Sequence, residues 1–201
     1  MSGVSDNKRL RLNFANKIYT FRILSVPFFI ASLLYYRCPE REYLRFVALG
    51  IFILGAISDA VDGFIARKSQ QKSKAGLVLD PLGDKMLLMS AFVCLSFLKD
   101  FTIRFPFWVT FIVITRDVLI LLGAVVVYIV RQEINILPTR WGKLTTAFQM
   151  LAVISLLLQL PRRLAHPLWW MVVFFTVISG IDYINRGFKN LYALDNPRNN
   201  H

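Results

Sequence analysis

Four aspartates between residues 58 and 85 are the residues of this chain best suited to chemistry. Asp59 and Asp62 are three residues apart, and Asp80 and Asp84 are four apart, in the stretch SDAVDGFIARKSQQKSKAGLVLDPLGDK. On an α-helix either spacing places both carboxylates on one face. They are a third of the twelve acidic residues, although apolar segments flank them on both sides. Carboxylates this close cannot all stay ionised without a counter-charge, so the pattern predicts a bound cation.

A metal ion is the counter-charge that this donor set favours. Lys85 points away from the aspartates by helical spacing, and Arg67 follows the end of its predicted helix. Oxygen-only ligation, with no His or Cys nearby, is typical of hard cations such as Mg²⁺, Mn²⁺ or Ca²⁺. Four carboxylates can hold two such ions, an arrangement that enzymes use to bind phosphoryl oxygens. Interhelical ion pairs are the alternative, but few basic residues lie on these faces.

The composition indicates a membrane protein. The 201 residues are 56% hydrophobic and 18% charged, with a mean hydropathy of +0.52, which is too apolar for an ordinary soluble domain. The formal net charge is +12. Because the basic residues stand in short segments between apolar runs, they fit anionic lipid headgroups better than nucleic acid. Cys38 and Cys94 form no disulfide framework.

Six segments are long enough, at about 20 mainly apolar residues, to cross a bilayer as helices. They are 17–36, 43–66, 79–98, 106–130, 143–160 and 168–190. The predicted fold class is therefore an all-α membrane protein with six transmembrane helices in a single domain of residues 1–201, of which 1–7 are expected to be flexible. The stretch RLRLNFANKIYTF predicts either an N-terminal interfacial amphipathic helix or a plain basic tail.

Lysine and arginine predict the orientation. The segments on the side shared by both termini hold twice as many of them as the opposite loops, which predicts an N-in/C-in topology. The second helix then runs inward and the third outward, so all four aspartates come together just below the cytoplasmic surface. Pro81 predicts that the third helix begins near Asp80, which would cap it; a helix that extends back to Gly76 is the alternative.

The acidic stretch also resembles the signature of the CDP-alcohol phosphatidyltransferases, D-x2-D-G-x2-A-R-x8-G-x3-D-x3-D. Every fixed position is met, by Asp59, Asp62, Gly63, Ala66, Arg67, Gly76, Asp80 and Asp84. The likeness covers nearly the whole chain, because the six-helix layout resembles that of the family domain. It implies the transfer of a phosphatidyl group from CDP-diacylglycerol to an alcohol, with release of CMP.

The resemblance also implies roles for these positions. Asp59, Asp62 and Asp80 would ligate metal, with Mg²⁺ or Mn²⁺ as the expected cofactor and two ions in the site. Asp84 would complete the metal site and act as the general base that takes the proton of the acceptor hydroxyl. The remaining signature positions would bind the CDP-lipid; they are Gly63, Ala66, Arg67 and Gly76. Gly63 and Ala66 would leave space for the cytidine nucleotide, and Arg67 would lie near its phosphates.

The acceptor is indicated by residues outside the signature. N-K-I-Y-T-F-R-I-L-S-V-P and T-R-D-V-L-I resemble first- and fourth-helix patterns of the branch that makes phosphatidylglycerophosphate and cardiolipin. W-G-K-L-T-T-A-F-Q resembles G-K-x-K-T-x2-Q of the phosphatidylglycerophosphate synthases, with Thr145 in place of the second lysine. Arg22, Arg116 and Lys143 are the candidates to bind an acceptor phosphate. The predicted acceptor is sn-glycerol 3-phosphate; phosphatidylglycerol, which would give cardiolipin, is the alternative.

Structural roles remain open for two of these bases. Arg22 could be an interfacial arginine whose charged end reaches water. Arg116 could be held in an ion pair with Asp117 or Asp182. Asp182 and Arg186 are four residues apart, which predicts an ion pair within one helix, or else a contribution to the acceptor site.

The expected partners are CDP-diacylglycerol, the alcohol acceptor and membrane lipids, with no nucleic acid; a homodimer is implied by the resemblance alone. The predicted location is the bacterial cytoplasmic (inner) membrane, with the active site near the cytoplasmic face. Six helices with buried acids could instead form a cation transporter. Against that alternative, the aspartates gather near one face instead of the midplane, and the sequence contains no repeated half.

Overall fold

The computed structural model describes residues 24–68, 76–131 and 140–195, and within them it gives the backbone alone for 59–68, 76–84, 124, 126–131, 140 and 187–195. Throughout these ranges the regular structure is α-helical, so the prediction of an all-α fold is confirmed for them. The helices are α1 (Leu24–Leu34), α2 (Tyr43–Lys68), α3 (Gly76–Phe97), α4 (Phe107–Arg131), α5 (Arg140–Leu157) and α6 (Arg162–Asp195). The predictions for the N-terminal stretch, including Arg22, lie outside the described residues.

Two prolines, Pro81 and Pro167, lie within helices, although the sequence predicts a helix start at the first of them. The third helix includes Gly76 to Asp80, so the prediction that it begins near Asp80 is wrong. The last helix begins at Arg162 and contains Pro167, ahead of the predicted span. Each proline is the sixth residue of its helix as bounded here. The sixth residue lies beyond the four N–H groups that have no intrahelical acceptor, so each proline removes one hydrogen bond of its helix, and its ring crowds the carbonyl oxygen four residues earlier.

One described stretch, Arg162–Arg186 of α6, is long and apolar enough to cross a membrane. Shorter apolar stretches are Leu24–Leu34, Tyr43–Ser58, Lys85–Phe97 and Trp141–Leu157. Large apolar side chains on these helices are exposed, among them Phe28, Leu54 and Phe174 at 65%, 58% and 60%. Such surfaces fit contact with lipid. The six-span topology and the N-in/C-in orientation stay predictions.

The helices form two compact units. The first helical unit contains α1, α2, α3 and residues 156–159; the second contains α4, α6 and α5 up to Ser155. In the first unit the rings of Phe29 and Phe52 lie 5.9 Å apart between centroids. The α2 and α3 helices pack closely at Gly55, where an added Cβ would stand 2.5 Å from Cδ2 of Leu87. A glycine at this contact therefore lets the two acid-bearing helices approach one another.

In the second unit α4 and α6 pack through Tyr183. Its hydroxyl donates a hydrogen bond to the carbonyl oxygen of Ile120 at 3.1 Å. Its ring covers Gly123, where an added Cβ would lie 2.6 Å from the tyrosine oxygen. On the other side α5 packs against α6 through Phe148 and Phe175, whose rings are stacked 4.7 Å apart. The second unit is therefore a three-helix assembly with α6 in contact with both other helices.

Candidate active site

The two aspartate pairs lie on the two helices that pack against each other in the first unit. The backbone is helical at all four positions, so each pair shares a helix face. Asp59 follows Gly55 by one turn, and Asp84 precedes Leu87 by less than one turn. Because Gly55 and Leu87 mark the close approach of α2 and α3, the backbone segments that carry Asp59 and Asp84 are each about one turn from that contact.

The donor set fits a divalent cation, although the side chains of Asp59, Asp62, Asp80 and Asp84 lie outside the described residues. Four carboxylates and no His or Cys on these two turns are ligands that hard cations such as Mg²⁺ and Mn²⁺ prefer. Elsewhere, among residues with described side chains, no three His, Cys, Asp or Glu are grouped so that they could hold a metal. The surroundings of the remaining signature positions also lie outside the description; they are Gly63, Ala66, Arg67 and Gly76.

Arg116 is a buried cation within the second unit. It is 7% exposed, and the neighbouring Asp117 is fully buried. Nη1 of Arg116 donates a hydrogen bond to Oδ1 of Asp117 at 2.6 Å, and Nη2 donates a short one to Oγ of Ser179 on α6. Within the described part of the chain, Nε of Arg116 has no hydrogen-bond partner. The pairing of Arg116 with Asp117 is therefore present, while N–H groups of the guanidinium remain available.

Lys143 and Thr145 lie on different faces of α5. Lys143 is exposed, whereas Thr145 is fully buried. The Thr145 hydroxyl lies 2.9 Å from the carbonyl oxygens of Trp141 and of Phe175, and can donate to either. Two helical residues two apart are separated by about 200° around the axis. Thr145 therefore joins α5 to α6, and among the described side chains of α5 Lys143 is the basic one that is exposed to a ligand.

The last helix carries polar residues that sequence reasoning overlooked. Thr176 and Ser179 are both fully buried, and Nε2 of Gln149 lies 3.5 Å from Oγ1 of Thr176. The signal was present as a polar stripe at helical spacing, from Thr176 through Ser179 to Tyr183. The Asp182–Arg186 pair, with 3.0 Å between Oδ1 and Nε, confirms the predicted ion pair within one helix.

The sequence profile of the CDP-alcohol phosphatidyltransferases matches residues 12–178. That range covers most of the chain, including α1 to α5 and half of α6. The chain is therefore a member of the CDP-alcohol phosphatidyltransferase family.

Three named relatives illustrate which branch the chain is similar to. A probable phosphatidylglycerophosphate synthase of Mycobacterium tuberculosis H37Rv is 33% identical over 183 residues, covering 89% of this chain and 83% of the relative. The CDP-diacylglycerol–glycerol-3-phosphate 3-phosphatidyltransferase of Aquifex aeolicus is 27% identical over 187 residues, covering 90% and 99%. The CMP-forming cardiolipin synthase of Rattus norvegicus is 29% identical over 188 residues, covering 82% and 60%.

Proposed function

We propose that the protein transfers a phosphatidyl group from CDP-diacylglycerol to sn-glycerol 3-phosphate, giving phosphatidylglycerophosphate and CMP. The observation that carries this proposal is the similarity to relatives named for that reaction along nearly their whole length. The complete signature on α2 and α3 supports the same chemistry, because paired carboxylates suit the binding of a diphosphate through divalent cations.

In this proposal the acceptor hydroxyl oxygen attacks the phosphorus that carries the diacylglycerol. A new oxygen–phosphorus bond forms, the bond from that phosphorus to the bridging oxygen breaks, and CMP leaves with the bridging oxygen. Asp84 takes the proton of the hydroxyl as general base. Gly63, Ala66, Arg67 and Gly76 would bind the nucleotide end of the donor.

Asp59, Asp62, Asp80 and Asp84 would hold two Mg²⁺ or Mn²⁺ ions. When bound, such ions neutralise the diphosphate and the charge that develops on the leaving group. The chain's own contribution is to fix the four carboxylates by helix spacing and to bring α2 and α3 close at Gly55.

Arg116 and Lys143, together with Arg22, are the proposed binding residues for the acceptor phosphate. Arg116 has N–H groups beyond the two that bond to Asp117 and Ser179, and Lys143 is exposed. Guanidinium and ammonium groups both bind phosphate, the former with a fixed planar geometry. We further propose a homodimer in the bacterial cytoplasmic membrane, with the site near the cytoplasmic face.

A second candidate, cardiolipin synthesis, is favoured by two observations. The chain is similar to relatives named as CMP-forming cardiolipin synthases, and its Arg116-Asp117 pair resembles the Arg-Asp pair of the cardiolipin synthases in this family. In this version phosphatidylglycerol replaces sn-glycerol 3-phosphate as the acceptor, and the roles of the four aspartates are unchanged.

Release of CMP separates the candidates. Purified protein in detergent is given CDP-diacylglycerol and Mg²⁺ or Mn²⁺, with sn-glycerol 3-phosphate or phosphatidylglycerol as acceptor. CMP release with sn-glycerol 3-phosphate supports the main proposal. Release with phosphatidylglycerol alone would replace it with the second candidate, and no release with any alcohol would refute both.

The general base is tested by Asp84→Asn, which keeps the size of the side chain but removes its basicity. We expect turnover to fall by about 100-fold or more, while the protein still folds and binds CDP-diacylglycerol. Asp100→Asn is the matched control, because Asp100 is exposed in the turn after α3 and its loss should leave turnover unchanged. Wild-type turnover in Asp84→Asn would show that another group takes the proton.

A further inference from the structure

Ser179 is one of the two groups, among the described residues, that hold the end of the Arg116 side chain. The hydrogen bond between them joins α4 to α6 across 63 residues of sequence. Ser179 is fully buried and Arg116 is 7% exposed, so water does not compete strongly for this bond. The next residue on α6 is also small: a Cβ added to Gly180 would lie 3.7 Å from Cγ of Arg116. The helix α6 therefore contacts the Arg116 side chain through two small residues, Ser179 and Gly180.

The Asp117 bond alone does not fix the plane of the guanidinium group. Asp117 is the next residue on α4, and adjacent helical residues do not face each other. A single bond to Nη1 leaves the group free to turn about that contact. A second bond at Nη2, to a different helix, removes this freedom. Because a guanidinium group has five N–H donors in one plane, fixing its plane also fixes the directions of the three that are not used in these two bonds.

We propose that Ser179 is a positioning residue for acceptor recognition: it sets the plane of the Arg116 guanidinium group so that the free N–H groups meet the acceptor's phosphate. The inference rests on the proposed role of Arg116 as a phosphate-binding residue. Bidentate binding of phosphate depends on the orientation of the fork as well as on its charge. Loss of the Ser179 hydroxyl should therefore weaken binding of the acceptor and leave binding of the CDP-lipid intact.

The test compares Ser179→Thr with Ser179→Val, because these side chains have nearly the same shape and only threonine has a hydroxyl. The same pair of substitutions at Ser155 is the control; Ser155 is also buried, but its hydroxyl bonds to the carbonyl of Ala152 in its own helix, at 2.7 Å. CMP release is measured against both substrates, using whichever acceptor the wild-type protein accepts, and the thermal midpoint of each variant is recorded.

We expect the KM for the acceptor to be about tenfold higher in Ser179→Val than in Ser179→Thr, the effect of about one hydrogen bond to a charged group. The KM for CDP-diacylglycerol should agree within about twofold, and the Ser155 pair should show no difference in either KM. Equal acceptor KM values for the two Ser179 variants, or equal changes for both substrates, would overturn the inference while the proposed function stands. A wild-type protein that releases no CMP with any phosphate-bearing acceptor would overturn both.

Discussion

Replacing Arg116 by methionine should destabilise the protein much more than the same replacement at Arg186. Both arginines pair with an aspartate, and methionine keeps much of the side-chain length without the charge. The pairs differ in burial: the side chains of Arg116 and Asp117 are 8% and 0% exposed, whereas those of Arg186 and Asp182 are 58% and 24% exposed. Comparing the two variants therefore contrasts a buried ion pair, which Ser179 also contacts, with an exposed one.

The magnitude follows from the aspartate that each change leaves behind. At Asp117 a carboxylate excluded from water loses its cationic neighbour, and breaking a buried ion pair in this way costs about 3–5 kcal/mol. At Asp182 the side chain is 24% exposed, and an i,i+4 pair on a helix surface contributes about 0.3–0.5 kcal/mol. The free energy of unfolding should therefore fall at least about 2 kcal/mol further in Arg116→Met than in Arg186→Met.

Unfolding by SDS in lipid–detergent bicelles, followed by the fluorescence of the four tryptophans, measures this difference. The double variant Arg116→Met with Asp117→Asn provides the internal check. Removing both charges leaves no buried carboxylate deprived of its arginine, so most of the lost stability should return, while activity stays low because the proposed phosphate-binding group is absent. Equal losses in Arg116→Met and Arg186→Met would refute the reasoning, as would a double variant no more stable than the single one.

Two further substitutions test the packing of the second unit. Gly123→Ala brings a Cβ to 2.6 Å from the Tyr183 oxygen and should lower stability by about 1–3 kcal/mol; Gly50→Ala, with nothing within 4 Å of the added carbon, should not lower it, and an equal loss in both would contradict the α4–α6 contact. Thr145→Val should cost about 1 kcal/mol of stability, because the hydroxyl contacts a carbonyl of α6, whereas Thr146→Val removes a contact within α5 alone. The same thermal midpoint for both threonine variants would argue against that interhelical hydrogen bond.

Helical periodicity and apolar length were enough to predict the all-α fold and the positions of the aspartate pairs on two helices. They were not enough for helix starts at Pro81 and Pro167. A proline costs little at the first helical residue, whose N–H has no intrahelical acceptor, whereas at the sixth residue it removes one hydrogen bond of the helix. The residue type therefore favours a helix that begins at the proline, but in α3 and α6 the proline stands about one turn inside the helix.

Ser179 illustrates a different limit of the sequence. A serine in an apolar helix can bond to its own backbone, as Ser155 does with Ala152, or to another helix, as Ser179 does with Arg116. The two residues have the same type and similar neighbours in sequence. Which bond forms depends on the helix that packs alongside, so only the three-dimensional arrangement distinguishes the two serines.

The burial of Thr145 also changes which residues bear on the choice of acceptor. In sequence, Thr145 stands where the phosphatidylglycerophosphate synthase pattern has a second lysine. From the sequence alone, this chain would therefore have one basic residue fewer than that pattern to bind the acceptor phosphate. In the structure this position faces α6, and its hydroxyl lies 2.9 Å from the Phe175 carbonyl oxygen. A side chain directed at α6 cannot share the face of Lys143, which is exposed. Under the proposed function, the described residues of this unit that would bear on the choice between glycerol 3-phosphate and phosphatidylglycerol are therefore Lys143 and Arg116, the latter in the plane set by Ser179 and Asp117.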